Sequence, residues 1–229
     1  MADDIAWVGD SWFEKSPHGP GMSGDISLTA FRGTKVADFL ERLGADRQLI
    51  DQELPYREAS ERWPVEDDDS LCMYGTHGEW SYVIEGIGAA SWYWLSIARD
   101  ASAAGREGEE LVCFHRGLPA GRPALSYCPG NGETWHAADF GESLRAGYRP
   151  PRPDPSGKVA ALDAAMRAGG AVFGDRPDFS DDPRDNWPKR RAWTREAFTA
   201  IGAHLGLSVP RLSVVDGQLP AAVIPSFMR

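Results

Sequence analysis

The stretch DISLTAFRGTKVADFLERLGA, residues 25–45, joins an alternating segment to a helical one and decides the fold class. Its first seven residues alternate between apolar and polar, which is typical of a half-buried β-strand. After Gly33 the apolar residues recur at spacings of three and four, which is typical of an amphipathic helix. The apolar face of this helix consists of Val36, Phe39, Leu40 and Leu43. The stretch therefore predicts a strand followed by a helix over residues 35–43, capped by Thr34 and ended by Gly44.

Further strands are predicted where the apolar period returns to two. They cover residues 71–74, 80–85, 111–115, 124–128 and 134–140. Residues 75–78 and 129–132 are rich in glycine and are predicted to be hairpin loops, and residues 54–70 an exposed loop. Residues 89–101 fit either a helix or a strand. We favour the helix, because the small residues that follow are typical of a helix tail.

The composition changes at residues 149–155, RPPRPDP, whose four prolines predict a stiff, extended connector. Two helical stripes follow it. Their apolar residues are Val159, Leu162 and Met166 in the first, and Trp193, Ala197, Ile201 and Leu205 in the second. Residues 212–215 and 221–224 are predicted to form a closing hairpin.

This order of elements predicts an α+β fold. We expect an antiparallel sheet of about five to six strands, with helices packed on one face and a helical C-terminal extension. Residues 1–148 are the predicted α+β core domain, residues 149–155 the connector, and residues 156–229 a helical extension packed on the core.

The charge balance narrows the classes of partner. The 229 residues carry a net charge of −10, from 34 acidic and 24 basic side chains. An acidic surface repels both the phosphate backbone and anionic lipids, so we expect neither nucleic acid nor membrane as a partner. Only three cysteines occur, and the first residues lack the pattern of a signal peptide. We therefore expect a cytoplasmic protein.

Several short motifs follow one another between residues 12 and 80. They are Trp12, Ser16-Pro17, Leu28-Thr29, Arg32-Gly33, Phe39-Leu40 and Arg42-Leu43-Gly44-Ala45, followed by a strand that begins at Trp80. In these motifs the chain resembles an uncharacterised actinobacterial family that is catalogued only as a domain of unknown function. The resemblance covers about residues 5–140. It implies a small α+β protein of the bacterial cytosol, and it implies no activity and no active site.

A metal site is one candidate for chemistry. Cys113, His115, Cys128 and His136 lie within 24 residues, and the first two would face the same side of a strand. Zinc prefers four such ligands. Their spacing matches no common zinc motif, however, and two buried thiols beside two ordinary histidines explain it as well. We expect no cofactor, and a metal-dependent hydrolase that uses these four residues is the alternative function.

Nucleophilic catalysis and phosphate binding have weaker support. Cys72 and His77 could meet across a hairpin, but the acidic residues near them disfavour a thiolate. Residues 86–90, Gly-Ile-Gly-Ala-Ala, only partly match a phosphate-binding loop, and a turn beside a close strand–helix crossing explains them.

An acidic run and an aromatic triplet suggest a binding surface instead. The run consists of Glu66, Asp67, Asp68 and Asp69, and the triplet of Trp92, Tyr93 and Trp94. One strand or helix face cannot bury three consecutive rings, so we expect at least one to point outward, although packing of all three under loops is also open. Exposed carboxylates with aromatic anchors suit a basic protein.

We therefore expect a non-catalytic, protein-binding module, either an immunity-type neutraliser of a basic bacterial toxin or another bacterial interaction module. The predicted partner-binding residues are the four acids of the run as rim charges, with Trp92 and Trp94 as anchors.

Overall fold

The computed structural model describes ten parts of the chain. They are residues 4–13, 20–22, 24–66, 68–86, 89–98, 105–117, 122–137, 144–146, 154–170 and 187–226. In these parts the protein is α+β, as the sequence predicts.

The fold is built on one antiparallel sheet. Its strands are β1 (Ser27–Arg32), β2 (Ser70–His77), β3 (Trp80–Glu85), β4 (Glu107–Gly117), β5 (Arg122–Asn131), β6 (Trp135–Ala137), β7 (Arg145–Ala146) and β8 (Ala221–Ile224). Their order across the described sheet is β7-β6-β5-β4-β1-β3-β2-β8, eight strands where the sequence led us to expect five or six. The strand of the deciding stretch, β1, lies near the middle, between β3 and β4.

The predicted hairpins are present but tighter than expected. β2 continues through the glycine-rich residues 75–77 to pair His77 with Trp80, so only Gly78 and Glu79 form the turn. Likewise β5 extends to Asn131 and includes most of the segment predicted as a loop. Ladder hydrogen bonds to the neighbouring strand explain why glycine did not end either strand.

The described helices are α1 (Ala6–Ser11), α2 (Val36–Arg42), α3 (Arg47–Ile50), α4 (Tyr56–Arg62), α5 (Ser91–Ala98), α6 (Lys158–Ala168), α7 (Trp187–Leu205) and α8 (Arg211–Val215). The predicted α2 is confirmed, with Phe39 and Leu40 fully buried, and Gly44 adopts the left-handed conformation after it. Its N-cap position is Lys35, without a capping side chain, and not Thr34. Two helices were not predicted from the sequence. One is α1, and the other is α4, which lies within residues 54–70, where we expected an exposed loop.

Residues 91–98 form a helix, as we favoured, and a buried carboxylate marks its start. Glu85, at the end of β3, accepts hydrogen bonds from Ser91 N at 3.0 Å, Ser91 Oγ at 2.6 Å and Ser70 Oγ at 2.8 Å. A carboxylate at a helix start accepts hydrogen bonds from unpaired N–H groups and interacts favourably with the helix dipole. Burial raises the pKa of Glu85, against the effect of these hydrogen bonds.

Helices cover both faces of the sheet, and not one face as the sequence suggested. One core contains residues from α1, α6 and α7, and among its sheet members are Leu28, Ile84, Phe114 and Tyr127. The other contains α2, α3 and α5, with sheet members such as Phe31, Val83, Leu111 and Cys113. Alternate residues of each strand point to opposite faces, so a sheet buried on both sides needs helices on both.

The C-terminal part contributes to the sheet as well as to the helices. Residues 211–215 form α8, and not the first strand of a hairpin, because β8 pairs with β2 instead. Residues 149–153 of the predicted connector lie outside the described residues. No helix in the described part of the chain is long and apolar enough to cross a membrane.

Candidate functional site

The acidic residues are concentrated in one segment of the chain. Residues 36–69 contain eleven Asp and Glu side chains and four Arg. The helices of this segment all lie at one end of the sheet, since α2 and α4 contact β2, and α3 and α4 contact β8. We call this surface, made by residues 36–69, the acidic surface.

Most carboxylates of the acidic surface face solvent. The exposed ones are Asp38, Glu41, Asp46, Asp51, Glu53, Glu58, Glu61, Glu66 and Asp68. The four arginines of this segment offset the eleven acidic side chains only in part. Arg42 is turned inward, where its Nη1 donates to Glu109 Oε2 at 2.7 Å, and both side chains are nearly buried. Arg47 pairs with Asp51 and Glu41, at 2.8 and 3.2 Å.

The predicted acidic run lies at the C-terminal end of this surface. Glu66 and Asp68 are exposed, and Asp67 lies outside the described residues. Asp69 is half-buried, and its Oδ1 accepts a hydrogen bond from Ser226 N, just beyond β8. Asp69 therefore fastens the loop to the sheet edge, which is a structural role that the run of like charges did not suggest.

The aromatic triplet corrects one predicted anchor. Trp92 is fully buried in the core on the α5 side of the sheet, so it offers no surface to a partner in this structure. Tyr93 and Trp94 are half-buried at the edge of the same core, with their rings 5.3 Å apart. A helix places consecutive residues about 100° apart, so one of three adjacent rings had to point into the core. Trp94 keeps a partly open position.

The four predicted metal ligands lie on the same face of the sheet but do not converge. Cys113 pairs with Ser126 across the β4–β5 ladder, and Ser126 with His136 across the next. Each of the four residues has another neighbour: Thr29 Oγ1 donates to Cys113 Sγ, Cys128 Sγ lies 3.1 Å from Thr134 Oγ1, and Ser126 Oγ lies 2.9 Å from His136 Nδ1. His115 lies against Tyr93, with ring centroids 4.1 Å apart and the ring planes tilted by 35°. In the described residues no three or more His, Cys, Asp or Glu side chains are grouped to hold a metal.

The three thiols are poor nucleophiles where they lie. All are free and buried. Burial raises the pKa of Cys113 and of Cys128 to about 12, and that of Cys72 well above its usual value. Cys72 donates to the carbonyl of Ala222 at 3.3 Å, and His77, an odd number of residues along the same strand, belongs to the opposite face. The Cys72–His77 pair is therefore not formed.

A polar pocket that the sequence did not reveal lies at one end of β1, β4 and β5. Its lining includes Arg32, Glu79, Glu110 and Lys158, and its volume is about 400 Å³. Glu110 is the buried centre: its Oε2 accepts from Lys158 Nζ at 2.6 Å and from Arg32 Nη2 at 2.9 Å, and its Oε1 from the Tyr127 hydroxyl at 2.6 Å. We call this the Arg32–Lys158 pocket.

The electrostatics of the Arg32–Lys158 pocket keep Glu110 ionised. Burial by itself would raise the pKa of this carboxyl, but the hydrogen bonds from Lys158, Tyr127 and Arg32 outweigh it and hold the pKa below its usual value. The same carboxylate raises the pKa of Arg32. Burial, and after it this carboxylate, raises the pKa of Tyr127. Glu110 is thus a fixed anion between two cations.

No family model matches the chain, and no curated protein or solved structure is significantly similar to it. The resemblance noted in the sequence remains an expectation.

The sequence did not predict the full extent of the acidic surface, nor the Arg32–Lys158 pocket, and the reasons differ. A count of charges by segment would have extended the acidic run to the whole of residues 36–69. The Arg32–Lys158 pocket had no such signal, because Lys158 and Arg32 are separated by most of the chain and meet only through the tertiary fold.

Proposed function

We propose that this protein is a non-catalytic module that binds a basic protein through the acidic surface. More specifically, we propose an immunity-type neutraliser that acts in the bacterial cytoplasm on a basic toxin. The observation that carries the proposal is the concentration of eleven of the 34 acidic residues in residues 36–69, around one end of the sheet.

Concentrated charge favours rapid capture of an oppositely charged partner. A surface of one sign raises association rates by roughly 10 to 10³-fold, and the effect falls steeply with ionic strength. Nine of these carboxylates are exposed, and Arg42 is occupied by Glu109. The acidic surface therefore presents a net negative field, although ion pairs with Arg47 form within it.

Binding also needs contacts that slow dissociation, and these are usually aromatic. Trp92 is unsuitable because it is buried. Trp94 and Trp63 are half-buried, and Trp63 lies within the acidic surface, just after α4. We therefore assign rim charges to Glu58, Glu61, Glu66 and Asp68, and the anchor within the surface to Trp63.

The choice of compartment is supported by the thiols. Three free, buried cysteines without a disulfide are typical of a reducing environment.

The test is a binding assay with charge-matched variants. A tagged protein is used to capture partners from the source cell, and the captured protein is identified and then purified. The triple variant Glu58→Gln, Glu61→Gln, Asp68→Asn should lower its association rate by about tenfold or more. At ~0.5 M salt the screening length falls to roughly 4 Å, so the wild type should lose most of the same advantage.

The matched control carries the same loss of charge elsewhere. Asp4, Glu107 and Glu196 are exposed and lie outside residues 36–69, so their neutralisation should leave the rate within about twofold. Equal effects of the two triple variants would show that only net charge matters and would contradict a specific surface. A partner that is not basic would contradict the proposal itself.

The toxin assignment has its own measurement. Co-expression of the identified partner with the wild-type protein should restore growth, and co-expression with the acidic-surface variant should restore it less. If the partner is harmless when expressed alone, the immunity role is wrong even where binding is genuine.

A further inference from the structure

The Arg32–Lys158 pocket is not used by the proposed function. It lies where the end of β1, the β2–β3 turn, the start of β4 and the end of β5 meet the start of α6. Its volume of about 400 Å³ is in the range of pockets that take small molecules. Gly33, Gly108 and Gly130 also line it and contribute no side chain, and the space at Gly108 is open on the side where a Cβ would lie.

Glu110 holds two cations side by side at the base of this pocket. Arg32 and Lys158 donate to the same oxygen, Oε2, and the Glu110 side chain is only 5% exposed. The position of Arg32 is fixed further by Trp80, whose ring lies 5.0 Å from its guanidinium carbon. With Glu110, the two cations leave a net charge of about +1, which Glu79 neutralises in this structure and which a ligand would neutralise in its place.

Both cations keep donors for that ligand. The Arg32 edge formed by Nε and Nη2 is occupied by Glu110 Oε2, so the second edge, formed by Nη1 and Nη2, remains for another acceptor. Lys158 Nζ donates to Glu110 and to the carbonyl of Pro129 at 3.1 Å, which leaves its third proton. A guanidinium edge of this kind matches the two oxygens of a carboxylate.

A carboxylate of the protein already lies on that edge. Arg32 Nη1 donates to Glu79 Oε2 at 3.0 Å, and the Glu79 side chain is 81% exposed. An exposed ion pair of this kind changes an equilibrium constant by only about two- to fivefold, so a ligand can displace it. Glu79 lies in the two-residue turn between β2 and β3, and it can turn into solvent without disturbing either strand.

We propose that the Arg32–Lys158 pocket is a binding site for a small-molecule carboxylate, and that Glu79 occupies the carboxylate position when no ligand is bound. The ligand carboxylate accepts from the outer edge of Arg32 and from Lys158, while Glu110 keeps both cations in place. This site is independent of the acidic surface.

The experiment follows the Arg32 Nε–H signal by ¹⁵N NMR during titration with sodium acetate and with sodium propionate, with sodium chloride adjusted to constant ionic strength. The signal is assigned by its loss in the Arg32→Lys variant. We expect a saturable shift in the wild type. In Glu79→Gln the apparent Kd should fall by about two- to fivefold, because the internal competitor is removed. In Lys158→Gln it should rise by about tenfold.

Matched variants separate the pocket from general electrostatics. Glu61→Gln and Arg62→Gln remove the same charges from the exposed surface of α4, and both should titrate like the wild type. Urea unfolding of each variant shows that it is folded. A linear, non-saturating response to acetate and propionate would overturn the proposal, as would saturation by inorganic phosphate alone. A Glu79→Gln protein that binds no tighter than Glu61→Gln would overturn the role given to Glu79.

Discussion

At the scale of single residues, His115 is a buried imidazole in an apolar setting. It is 3% exposed, it lies against Tyr93, and within the described structure its Nε2 atom has no hydrogen-bond partner. Burial, and after it the neighbouring His136, lowers the pKa of His115 to about 4. Protonation in the folded state would place a charge in a buried position, where its loss of hydration is costly.

This position predicts sensitivity of the fold to acid. Above about pH 6.5 the imidazole is neutral in both the folded and the unfolded chain, so its contribution to stability is fully present. Between pH 6.5 and about 4 the unfolded chain binds the proton and the folded protein does not, so the free energy of unfolding decreases as the pH falls. The loss at this one site should reach about 3 kcal/mol. Urea unfolding at several pH values measures it.

The matched variants are His115→Phe and His204→Gln. The first keeps an aromatic ring against Tyr93 without a titrating group. Its free energy of unfolding should therefore decrease less between pH 6.5 and about 4. The second removes an exposed histidine of α7 and should keep the wild-type slope. If the free energy of unfolding of His115→Phe falls with acid as steeply as that of the wild type, other groups cause the acid sensitivity, and His136 is the nearest of them.

At the scale of elements, the apolar stripe of α2 predicted which of its residues are buried. Its buried residues Phe39 and Leu40 are the ones that the spacing placed on the inner face, and Phe39 stacks on Phe31 of β1 with ring centroids 3.9 Å apart. Leu40→Ala should therefore lower the free energy of unfolding by about 2–5 kcal/mol, since it leaves a cavity in a fully buried position. The shift of the urea midpoint measures this loss.

The control for Leu40→Ala lies on the same helix. Asp38 is exposed on α2, and Asp38→Ala should change the free energy of unfolding by no more than about 0.5 kcal/mol. A similar midpoint for both variants would mean that α2 contributes little to the stability of the protein.

At the scale of the whole molecule, both cores combine residues of the predicted core domain with residues of the C-terminal part. The core on the α7 side contains Ile5 and Phe198, and the other contains Phe39 and Ile224. β8 also pairs along β2, and Tyr74 N donates to the carbonyl of Pro220 at 3.0 Å. Residues 1–148 by themselves would expose both apolar surfaces and an unpaired strand edge.

We therefore expect that a fragment of residues 1–148 does not fold cooperatively. Without α6, α7 and β8 it should show no sigmoidal urea transition and weak near-ultraviolet circular dichroism, because fixed aromatic packing is lost. The full chain is the reference for both signals. A fragment with a sharp transition would instead establish residues 1–148 as an independent domain with the rest as an appended layer.

The sequence by itself determined the local elements of this protein. Periods of two and of three to four located β1, α2, the β2–β3 hairpin and the two long C-terminal helices, because side-chain direction follows directly from backbone geometry. It also placed Cys113 and His115 on one face of a strand. The acidic run was also visible in the sequence, since charge is a property of composition.

Only the tertiary structure decided what these elements meet. Pairing of β8 with β2, burial of Trp92 and burial of both sheet faces depend on contacts between residues far apart in the chain, which no local period encodes. The Arg32–Lys158 pocket is the clearest case. Glu110 acquires its two cations from β1 and from α6, because packing in the hydrophobic cores brings those elements together.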